Sequence, residues 1–83
     1  MKKAQENLII SFAKEANVKG KAEGLSSEEI VRWFAEQMKE NRIPATGWFS
    51  IDDKIRKQHE ISQWFWIIRT VRNNQDKYGW TLD

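Results

Sequence analysis

A chain of 83 residues without a cysteine has no covalent staple, so burial alone must hold it together. Here the burial falls to rings. The sequence carries five Trp, four Phe and one Tyr, and each large ring can bury roughly 150 to 250 Å². A single domain over 1–83 is expected, because there is no room for two cores. The lack of cysteine also excludes disulfide frameworks, thiolate catalysis and Cys-based metal sites, and it suits a cytoplasmic protein. The start, MKKAQENLIISF, is basic, but its short apolar run is broken by Ser11. It reads as neither a signal peptide nor a membrane span, and no membrane partner is expected.

Leu8, Ile9, Phe12, Ala13 and Ala16 recur at helical spacing and predict an amphipathic helix from Ala4 to Ala16, stopping near Asn17. VKGKAEG, with Gly20 and Gly24, reads as a connecting loop, so 1–24 is expected to be an N-terminal helix and loop. A second helix starts at LSSEEI. Ser26 can cap it and Glu29 can return the bond three residues on, a capping box, with Leu25 and Ile30 placed as a hydrophobic staple. Ile30, Trp33, Phe34, Gln37 and Met38 give its apolar face as far as Asn41, and Pro44 prevents continuation.

TGWFS, Thr46 to Ser50, suits a short strand, and Ser50 with Asp53 suits the N-cap of a third helix that turns Ile51 and Ile55 inward. Beyond it the apolar stripe breaks. Ile51, Ile55 and Trp66 share one side of a continuous helix, whereas Ile61, Trp64, Phe65, Ile68 and Val71 share another. A turn between His59 and Ser62 explains this, with Ser62 capping a fourth helix and Ile61 and Trp66 as its staple. One long buried helix is the other reading. The chain closes on YGWTLD, Tyr78 to Asp83, nearly the same shape as TGWFSIDD.

The order helix, helix, strand, helix, helix, strand resembles a winged helix-turn-helix domain. The residues that carry the likeness are TGWFS, SIDDKIRKQH, EISQWFWIIRTVRNN and KYGWTLD. The resemblance implies a mainly α fold with a small two-stranded β-ribbon over 25–83, in which TGWFS pairs with YGWTL and Trp48 and Trp80 cover one end of the helical core. An all-α helical bundle is the alternative fold. The implied partner is double-stranded DNA, bound through a helix-turn-helix over residues 51–75 by a small regulator or by the recognition module of a larger protein.

Charge points the same way. The formal net charge is only +2, and residues 1–50 hold eight basic and seven acidic side chains. From Lys54 to Gln75 the balance is five basic against one acidic, Glu60. Phosphates attract Lys and Arg whatever the sequence, while base edges are read by donors and acceptors on an inserted helix. Gln63, Trp66 and Arg69 are thus placed near bases, and Lys54, Arg56, Lys57 and Arg72 on phosphates. Ser62 stands at the N-terminal end of the reading helix, with Thr70 and Asn73 further along its polar side.

Trp64 and Phe65 are expected in the core. Trp66 is either a staple or an exposed anchor, and exposed Trp is enriched in binding hot spots. The competing function is therefore a Trp-rich protein-interaction module, such as a phage- or plasmid-type inhibitor or adaptor that docks on a larger enzyme. No enzymatic activity, metal or cofactor is expected. His59 is the one histidine, Asp52 and Asp53 point to different sides of a helix, and Gly20 and Gly24 lack the Lys and Ser/Thr context of a phosphate loop. The chain is read as a monomer or a homodimer, with the helix over 4–16 as the candidate contact.

Overall fold

The structure, a computed structural model, describes residues 2–43 and 60–82. Three helices account for most of them: α1, Lys2–Glu23; α2, Ser27–Glu40; and α3, Glu60–Asn73. Each packs on the other two around one core. Ile9, Ala13 and Ala16 come from α1, Val31, Phe34 and Met38 from α2, and Trp64, Ile67, Ile68 and Val71 from α3. At its centre the Phe34 and Trp64 rings meet edge to face, 5.5 Å apart at 74°.

Among the described residues there is no strand, which overturns the winged-helix fold with its β-ribbon in favour of an all-helical one. TGWFS lies outside the described residues. YGWTL lies within them and forms no strand: 74–79 form successive turns and 80–82 are irregular. Gly79 takes the left-handed conformation, with φ at 65°. Its N–H donates to the Asp76 carbonyl at 3.2 Å, and the Trp80 N–H donates to the Gln75 carbonyl at 3.1 Å, the paired bonds of a Schellman stop. The Trp80 ring packs on the core while its indole N–H donates to the Val71 carbonyl at 3.1 Å. Leu82 N–H donates to Gln75 Oε1 at 2.8 Å. Backbone donors committed to their own chain reversal are not available to a ladder.

α1 also differs from its prediction, running through Asn17 and the expected loop to Glu23. Glycine inside a helix costs about 1 kcal/mol relative to alanine. At Gly20 the missing side chain is what admits α2, since a Cβ there would lie 2.7 Å from Ile30 Cγ1. The helix ends instead at Gly24, whose φ is 64°, with Leu25 N–H donating to the Gly20 carbonyl at 2.9 Å. Asn17, expected to stop the helix, is 4 % exposed. Its Nδ2 donates to the Ala13 carbonyl at 2.9 Å and to the Ile68 carbonyl at 3.3 Å, tying α1 to α3 through a polar bond inside the core.

α2 begins at the capping box its sequence predicts, but it buries Val31 with Phe34 and Met38, while Ile30, Trp33 and Gln37 of the expected face are half-buried. Ser26 Oγ accepts from the Glu29 N–H at 3.2 Å, and Glu29 Oε1 accepts from the Ser26 N–H at 3.0 Å. The bond from the Ser26 backbone, then that with its side chain, holds the Glu29 carboxyl below its ordinary pKa, and Arg32 adds to the effect. At the other end Arg42 takes the left-handed position, φ 55°, that glycine fills after α1. Its N–H donates to the Lys39 carbonyl at 3.1 Å and that of Ile43 to Met38 at 2.9 Å, with Ile43 and Met38 both buried. No helix among the described residues is long and apolar enough to cross a membrane.

Candidate functional site

α3 has two unlike faces. Gln63, Trp64, Ile67, Ile68 and Val71 are buried, whereas Trp66, Arg69, Thr70, Arg72 and Asn73 are exposed and Ser62 and Phe65 are half-buried. At 100° per residue Ser62, Trp66, Arg69 and Asn73 fall on one line along the helix, with Thr70 on one side of it and Arg72 on the other. Six of the sequence-predicted site residues are thus brought to one surface. Lys54, Arg56 and Lys57 lie outside the described residues.

Two expectations need correction. Gln63, assigned to base edges, is 3 % exposed. It sits one turn before Ile67 and two before Val71, so the helix repeat turns it inward with them. Ser62, expected as an N-cap, has helical residues before it, because α3 already includes Glu60. Ile61, the other half of the expected staple, lies outside the described side chains.

Trp66 is 37 % exposed, and the Arg69 guanidinium carbon stands 5.3 Å from its ring centroid, within cation–π range. Phe65 meets the same ring edge to face at 6.2 Å. Expected in the core, Phe65 instead lies at its edge and lines two clefts between α2 and α3. One, of about 380 Å³, is bounded by Asn17, Ser27, Ile30, Val31, Phe65, Ile68, Arg69, Arg72 and Asn73. The other, of about 470 Å³, is bounded by Ser27, Glu28, Val31, Arg32, Ser62, Phe65 and Trp66. They share Ser27, Val31 and Phe65 and so adjoin one another along the α2–α3 groove.

Charge along this groove is uneven. Arg32 Nη2 is 2.6 Å from Glu28 Oε1, a surface pair that largely neutralises itself. Arg69 and Arg72 have no carboxylate partner among the described residues, and α3 carries no acid after Glu60. Asn17, Val31 and Arg32 are groove residues that the sequence reading missed. Their positions depend on how α1 and α2 dock, which no local pattern states. Among the described residues no three His, Cys, Asp or Glu side chains gather as a metal site would require. No family model, curated protein or solved structure matches this chain, so function rests on the chemistry of this face.

Proposed function

We propose that this protein binds double-stranded DNA through the outward face of α3, as a small cytoplasmic regulator or the recognition module of a larger protein. The observation that carries the reading is the line Ser62, Trp66, Arg69, Asn73, flanked by Thr70 and Arg72, on a helix without an acid after Glu60. A B-form major groove admits one α-helix, where Arg suits guanine and Asn suits adenine. Arg69 and Asn73 are assigned to base edges, and Trp66 to an apolar contact beside them. Arg72, with Lys54, Arg56 and Lys57, is assigned to phosphates. The reading requires no ribbon and no wing.

Anisotropy of a labelled random duplex tests it, read at about 50 and about 200 mM salt. Affinity should fall as salt rises, because bound counterions are released, and replacing Arg69 and Arg72 by Ala should weaken binding without unfolding the protein. No binding at the lower salt sinks the proposal. A second reading has its own support: the Arg69 and Trp66 stack at the rim of an apolar groove is the pairing of residue types enriched in protein-protein hot spots. Trp66 is then the anchor for a protein partner, and Trp66→Ala should abolish that complex while keeping the fold.

A further inference from the structure

The groove between α2 and α3 has apolar lining residues that a duplex on the outward face does not use. Val31 and Phe65 line both of its clefts, joined by Ile30 and Ile68 in one and by Trp66 in the other. We infer that this groove seats an acidic amphipathic helix of a partner protein, its apolar side chains on Val31 and Phe65 and its carboxylates on Arg69 and Arg72. The inference rests on the protein-interaction reading of Trp66 and not on DNA binding.

Size, charge and preorganisation each favour that occupant. From Ser62 to Asn73 the α3 side of the groove runs about 16 Å at 1.5 Å per residue, room for about three helical turns anchored at i, i+4 and i+7. Among the described residues, three arginines line the groove against one glutamate, and that glutamate is already held by Arg32. The two remaining guanidinium groups therefore favour carboxylates and disfavour a basic or uncharged partner. Arg69 is held against the Trp66 ring before anything arrives, which reduces the ordering cost of binding. Because Arg69 and Arg72 also serve the DNA reading, an acidic partner and a duplex would exclude one another.

The test uses the full chain and three labelled amphipathic peptides of about sixteen residues, identical on a leucine face and flanked by Glu, Gln or Lys. Fluorescence polarisation gives affinity, and the NMR signal of the Trp66 indole N–H, assigned with Trp66→Phe, reports the place. The Glu peptide should bind at least about tenfold more tightly than the Gln peptide, shift the Trp66 signal and leave the Lys peptide unbound. Reversing both charges, Arg69→Glu with Arg72→Glu, should transfer the preference to the Lys peptide. If that variant unfolds, Arg72→Gln carries the comparison and should lower the preference for Glu over Gln. Equal binding of Glu and Gln peptides at Trp66 overturns the acidic partner but leaves the protein-interaction reading. If no peptide moves the Trp66 signal, both fall.

Discussion

Trp64 and Trp66 are neighbours on one helix, yet one is wholly buried and the other is more than a third exposed. Trp64 stands edge to face with Phe34 at the centre of the core, while Trp66 lies under a guanidinium at the rim of a groove. The same side chain stabilises the fold in one place and is available for recognition in the other. A rotation of 200° between the two positions is enough to separate these roles.

Six substitutions test that contrast. Trp64→Ala should have the largest effect, about 3 to 5 kcal/mol in urea unfolding, a large part of the total stability of a domain this size. Asn17→Ala, which removes the polar bond between α1 and the inner side of α3, should cost about 1 to 3 kcal/mol. Its thermal transition should fall accordingly. Ser26→Ala tests whether an exposed residue matters when it completes the backbone, and about 1 kcal/mol is expected in the same assay.

The partner of Ser26 adds a pH dependence. Since the folded Glu29 carboxyl titrates below its ordinary range, the stability it contributes is fully present above that range. It is lost as pH falls through the lowered value, and Glu29→Gln should flatten that part of the acid-unfolding curve. Arg42→Gly should stabilise by about 0.5 to 1 kcal/mol, relief of the left-handed strain being partly offset by the greater freedom of glycine in the unfolded chain. Smallest of all, Trp66→Ala should change stability by no more than about 0.5 kcal/mol. A loss comparable to that of Trp64→Ala would show that the two faces are not distinct.

α2 was legible because its signals are local: Ser26 and Glu29 satisfy one another within a single turn, and Phe34 and Met38 keep helical spacing. The second half of α1 was not, because its inner face there is Asn17 and Gly20, small or polar residues that hydrophobic periodicity passes over. YGWTL reads as a strand by the propensities of Tyr, Trp and Thr. The left-handed Gly79 and the indole bond of Trp80 to Val71 decide otherwise, and the second is a tertiary contact. Of the candidate site, the exposed arginines, Trp66, Thr70 and Asn73 were legible from the helix repeat. The same repeat would have placed Gln63 inside, one turn before Ile67. Its inward direction was hidden by the expectation that a polar residue near a helix start faces a ligand.

The left-handed stops at Gly24 and Arg42 bear on how the chain folds as well as on where its helices end. Each is closed by hydrogen bonds between residues at most five positions apart, so α1 and α2 can find their limits before they find one another. What remains for this pair is the docking of two finished rods across a three-residue joint. Such short-range ordering keeps the loop-closure barrier low, and a stopped-flow or temperature-jump trace dominated by a microsecond to millisecond phase is its kinetic signature.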